Sequence, residues 1–200
     1  KELFQWADQI PEALWSDLSI RTHPQAAEAV GAIWDGVTFK ISLINIDYTL
    51  DPAQRRITQT HFPERPVSYQ AGVVLLTTLA ASKGVPPSGR MVVPEELPGG
   101  RAFFTGAHAV ATGPLAKGFE KDPDRLIKRA RGFGGETIDG ADVALRVPGL
   151  PYVPLYLLLW RGDREFPARA IIGIDARAHF HLDLAGVLAL TNLLVYRLCK

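Results

Sequence analysis

Apolar and polar residues alternate between positions 37 and 43: Val37, Phe39, Ile41 and Leu43 fall on one face, Thr38, Lys40 and Ser42 on the other. A period of two is the pattern of a half-buried strand. A tight turn near Asn45 and a return through Tyr48 predict a hairpin, and the turn DPAQ (51–54) leads into RRITQT as a third strand. Further on, GADVALRVPG, PLYLLLWRG and ARAIIGIDA read as strands, the last two joined by the turn RGDREFP. Helical spacing dominates elsewhere. ELFQWADQI and EALWSDLSI predict two short helices, with Pro11 in the first turn of the second. THPQAAEAVGA predicts another, capped by Thr22, with Pro24 in its first turn and Gly31 at its stop.

PVSYQAGVVLLTTLAASKG is apolar on nearly every face, so it predicts a central helix, begun at Pro66 or Ser68 and ended by Gly84. Residues 101–121 and DPDRLIKRARGFGG read as two more helices, the second capped by Asp122. The chain closes in an amphipathic helix with Leu184, Val187, Leu188, Leu194, Val195 and Leu198 at helical spacing. Between residues 85 and 100, four prolines and three glycines predict a loop long enough to cover a pocket. No repeat or Gly/Ser linker divides the chain. The pattern predicts one α+β domain over 1–200, with a short helical part at 1–33 and a mainly antiparallel sheet packed with helices.

Composition narrows the function classes. Lys plus Arg is 22 and Asp plus Glu is 21, and aromatics do not interleave with a basic stripe, so nucleic acid is disfavoured as a partner. The four basic residues of RLIKRARGF (125–133) fit a solvated helix face. The single cysteine, Cys199, rules out an intramolecular disulfide framework and an iron–sulfur cluster within this chain. The longest apolar run, 184–195, is short of the ~20 residues a bilayer span needs. A cytoplasmic location is the expectation, although the start at Lys1 leaves room for a removed leader.

The sharpest chemistry lies in HFHLDL. On a strand His179 and His181 would share a face and could ligate a metal or a cofactor. Alternatively they are strand surface, and Asp183 caps the last helix. His108 and His61 read as core histidines, and His23 as exposed. Asp163 and Glu165 in the hairpin turn, with Glu95 or Glu96 from the prolyl loop, are candidate acid–base carboxylates. Their solubility in turns is the plainer reading. GFGGETIDG and TGPLAKGFEK lack a phosphate-loop signature, and no Ser or Cys has a nucleophile context.

PPSGRMVVPEELPGG, then PLAKGFEKDP, then GFGGETIDGADVAL, then LPYVPLYLLLWRGDREFPARAIIGIDARAHFHLDL resemble, in order, the domain of unknown function 3786 family. WSDLSIRTHPQAAEAVGAIWDGVTFKISLINIDY resembles its N-terminal part. The chain departs from the family pattern at Asp183, where Pro is usual, and at Asn45, where Gly is expected. Members occur mainly in anaerobic bacteria and archaea, some fused to an iron–sulfur domain of the kind seen in corrinoid iron–sulfur proteins. The resemblance implies a non-catalytic cofactor-binding or redox-accessory module, with a haem or corrinoid as ligand and an iron–sulfur or corrinoid redox protein as partner. His179, His181 and His108 would be its ligand candidates. An enzyme built on Asp163 and Glu165, and a structural subunit without a small-molecule site, are the alternatives.

Overall fold

The computed structural model describes residues 4–200. Its strands form two antiparallel sheets. In the first, β1 (Ile33–Trp34), β2 (Phe39–Leu43), β3 (Ile46–Asp51) and β4 (Arg56–Gln59) lie in sequence order. In the second, β5 (Met91–Val92), β6 (Glu136–Thr137), β7 (Val143–Leu150), β8 (Val153–Trp160) and β9 (Arg169–Asp175) take the order β5-β9-β8-β7-β6. The longer helices are α2 (His23–Val30), α3 (Tyr69–Ala81), α6 (Pro123–Gly132) and α7 (Leu184–Cys199), with short α1 (Glu12–Ser16), α4 (Gly100–Phe103) and α5 (Gly113–Phe119) between. The fold is α+β, as the pattern predicts.

The alternation of β2 is visible in its burial: Phe39, Ile41 and Leu43 are buried and Lys40 is exposed. Val37 departs from the pattern and is 63 % exposed. The Asp35 carboxylate accepts from the amides of Val37 (3.0 Å) and Thr38 (2.7 Å), so the chain is still turning there and the strand starts later. The β2–β3 hairpin turns on Ile44 and Asn45, both at positive φ (49° and 54°), as a two-residue hairpin turn requires. Asn tolerates this backbone and Ile does not, but Ile44 is fully buried and its N–H donates to Gly149 O on the second sheet at 2.7 Å.

Helices α3 and α7 pack on each other and carry a large share of the core. Val74, Leu75, Leu76 and Leu79 of α3, and Val187, Leu190, Leu194 and Leu198 of α7, are fully buried. Each such side chain contributes about 1.5–3 kcal/mol by leaving water. They join the inner residues of both sheets in one contiguous apolar cluster. Helix α2 behaves as predicted, with Thr22 as cap and Gly31 closing it in the left-handed region (φ 71°). A Cβ at Gly31 would also meet Pro151 Cβ at 2.9 Å.

Three predicted elements differ. ELFQWADQI holds only one 3-10 turn, Ala7–Gln9, while Glu2 and Leu3 lie outside the described residues; Pro11 stands just before α1 as its cap. Residues 101–121 are not one helix but the end of α4, a 3-10 turn Gly106–His108 and α5. Gly106 sits at φ 56° and breaks the run. The histidines of HFHLDL do not lie on a strand: β9 ends at Asp175, and Ala178–Phe180 form a 3-10 turn.

Candidate functional site

The segment from Asp175 to Asp183 anchors the prolyl loop. Asp175 ends β9 with 0 % exposure. Its carboxylate accepts from the amides of Ser88 (2.9 Å), Gly89 (2.8 Å) and Arg177 (2.9 Å), and from Ser88 Oγ (3.0 Å). Burial alone would raise its pKa, but these donors outweigh it and hold the group below the ordinary carboxylate value. Gly89 turns here at φ 75°, which brings its amide to the carboxylate. The loop 85–100 is thus fastened to the end of β9, against which its own Met91–Val92 pairs as β5.

His181, 1 % exposed, does the same for the loop's start. Its Nε2–H donates to Val85 O at 2.8 Å, and its Nδ1 meets Ser82 Oγ at 2.7 Å. The single hydroxyl proton of Ser82 has two acceptors in reach, Nδ1 of the neutral His181 ring and Ala29 O at the end of α2. Burial lowers the His181 pKa, opposed by the Val85 bond and the charge of Asp175, while His179 adds to the lowering. Arg21 closes the α3 end, donating to Ser82 O (2.6 Å) and Leu79 O (2.8 Å).

His179 is arranged differently. It is half-buried, and its Nδ1–H donates to Ala176 O at 3.1 Å. In the neutral ring this leaves the lone pair on Nε2, which makes no hydrogen bond to protein among the described residues. The Phe180 ring lies 4.2 Å from the His179 ring. A backbone carbonyl on one nitrogen is the usual way a ligating imidazole is oriented and its tautomer chosen. Asp183 is the predicted cap, accepting from Gly186 N at 2.7 Å. Among the described residues no group of three or more His, Cys, Asp or Glu is placed to hold a metal ion.

The remaining candidates are scattered. His108 is not in the core: it lies exposed in its 3-10 turn, stacked on Phe103 at 4.7 Å. His61 is likewise at the surface, 3.4 Å from Asp47. His23, expected to be exposed, is half-buried with its ring 4.5 Å from that of Trp34. Asp163 is spent on its own turn, accepting from Glu165 N and Phe166 N at 2.8 Å each. Those amides lower its pKa. Glu96 accepts from Val93 N at 3.0 Å. The shallow cleft beside Glu95 and Glu96, about 450 Å³, is completed by Leu97, Gly99, Arg101 and Ala102, and takes nothing from the 161–168 hairpin. The four carboxylates therefore do not share that cleft.

The basic residues of α6 lie largely exposed, as the sequence suggests, but part of that face borders a cleft. Arg125, Lys128 and Arg129 of α6 meet Arg197 and Lys200 from the end of α7 around a cleft of about 520 Å³, with Gly132 and Phe133 as the other walls. Spacing of i, i+3 and i+4 places the first three on one face. Nothing local announces that α7 brings two more.

An α+β fold of two antiparallel sheets and a packed helical pair, with a loop clamped by buried Asp and His, is the class of protein this chain presents. Residues 22–197 match the family described as Domain of unknown function (DUF3786), and the chain belongs to it. No curated protein matches, and no solved structure does. Among the described residues no helix is long and apolar enough to cross a membrane.

Proposed function

We propose that the protein is a non-catalytic cofactor-binding or redox-accessory module whose ligand is a tetrapyrrole, haem or corrinoid, with His179 as the axial residue. The observation that supports it is the His179 ring: Nδ1–H is fixed on Ala176 O, Nε2 carries the free lone pair, and the Phe180 ring lies beside it. One imidazole suffices for such a ligand. His181 belongs to the scaffold in this reading, because both its ring nitrogens are engaged within the protein. The bound group would supply the redox or group-carrying chemistry; this chain orients the imidazole and holds the neighbouring loop. An iron–sulfur or corrinoid redox protein is the partner such a module would serve.

The test is an absorption spectrum of anaerobically purified protein before and after adding haem, and separately cobalamin. A shifted Soret or corrinoid band is expected in the unaltered protein and in His108→Ala, and is expected to vanish in His179→Ala. Circular dichroism on the same samples checks that the variants are folded. No spectral change, or a change that survives His179→Ala, defeats the reading.

A further inference from the structure

The chain has balanced charge, with 22 basic and 21 acidic residues. Yet the α6–α7 cleft gathers Arg125, Lys128, Arg129, Arg197 and Lys200, and no Asp or Glu lines it. Among the described residues none of the five is in an ion pair. Asp122 and Asp124 stand at the beginning of α6, and Asp122 is spent capping it.

The guanidinia are held in place by neutral groups. Arg125 donates to Gly118 O (2.6 Å), Arg129 to Leu198 O (2.6 Å), and Arg197 to Leu43 O (2.9 Å) and Tyr48 Oη (2.6 Å). Each retains further N–H donors, because a guanidinium has five. Arg197 is the most costly of them: burial lowers its pKa, with Tyr48 pulling the other way, and no carboxylate neutralises it.

Helix ends attract cations, and that effect must be weighed first. Each C-terminus carries about −0.5 of a charge, so the ends of α6 and α7 offset roughly one cation of the five. No Asp or Glu lining the cleft compensates the rest.

We propose that this cleft is an oxyanion site, taking a small molecule that bears several phosphate or carboxylate groups. The prepositioned guanidinia offer paired N–H donors for such groups, the exposed Lys128 and Lys200 add point charge, and the half-buried Phe133 ring gives the ligand's carbon portion an apolar wall. The site is independent of His179. The histidine precedes α7 and the cleft lies at its far end, and a helix of 16 residues spans about 24 Å.

Calorimetric titration at fixed ionic strength tests this, with inorganic pyrophosphate and citrate as probes. The cleft variant is Arg125→Ala/Lys128→Ala. The control is Arg131→Ala/Arg146→Ala, which removes the same charge from exposed positions outside the cleft. One probe should bind the unaltered protein, with affinity reduced by about tenfold or more in the cleft variant. The control should stay within about twofold, as screened surface charge predicts. Preference for pyrophosphate identifies a phosphate-bearing ligand, and preference for citrate a carboxylate-bearing one. Absence of binding by either probe, or equal losses in both variants, overturns the site. His179→Ala should leave pyrophosphate or citrate binding unchanged, so failure of one reading does not decide the other.

Discussion

His181 is the residue whose chemistry reaches furthest into stability. Its ring is buried and its pKa lies below the ordinary value, burial being the largest cause. Unfolding therefore takes up a proton between the folded pKa and the free value near ~6.5. The stabilisation by the neutral ring is complete above that free value and is lost as pH falls through the window beneath it. Denaturant titrations at about pH 7.5 and 5.5 should show the unaltered protein losing stability over this range. His181→Gln should be less stable at the higher pH, by about 1–3 kcal/mol for the bonds it loses, and should show a shallower decline. Equal slopes for the two proteins would contradict the assignment. Sequence alone could not reveal this residue's role, because its partners Ser82 and Val85 lie 99 and 96 positions away. Alternation in HFHLDL imitates a strand face, whereas a short turn puts the two rings in different surroundings.

Among the elements, the last helix shows what a local signal can carry. A cap is a contact between neighbours, so Asp183 was legible as one, and the structure has it accepting from Gly186 N. Asp183→Ala should cost about 1 kcal/mol, with Asp183→Asn recovering most of it. Urea unfolding of the three proteins measures both effects. Strands β2, β3, β7, β8 and β9 were legible for a similar reason: their side chains alternate or run apolar between clear turns. Residues 101–121 were not, because an apolar-rich stretch broken by glycines supports one long helix or several short ones equally well by periodicity. The α6–α7 cleft was half legible. The face of α6 is written in its spacing, but the contribution of Arg197 depends on where α7 ends in space.

At the scale of the whole molecule, the prolyl loop is held by bonds that span nearly half of the chain. Asp175 reaches Ser88 and Gly89 across 87 and 86 residues. These amides should exchange with solvent slowly for a loop of this composition. Asp175→Asn weakens charge-assisted bonds and should lower the protection of Ser88, Gly89 and Arg177 together, by about 2 kcal/mol in local opening free energy. Protection within the β7–β8 pair should be unaffected. Hydrogen exchange resolved by residue distinguishes this from a general loss of stability, in which all these amides would change alike.

The same clamp orders events in time. Until the hairpin of β8 and β9 has formed and the turn after it has docked, the segment 85–92 has neither the carboxylate of Asp175 nor the imidazole of His181 to fasten it. Closing so long a stretch of chain costs entropy before any bond is returned. The loop should therefore settle after the rate-limiting step of folding, so that weakening its anchors speeds unfolding and leaves the folding rate nearly untouched.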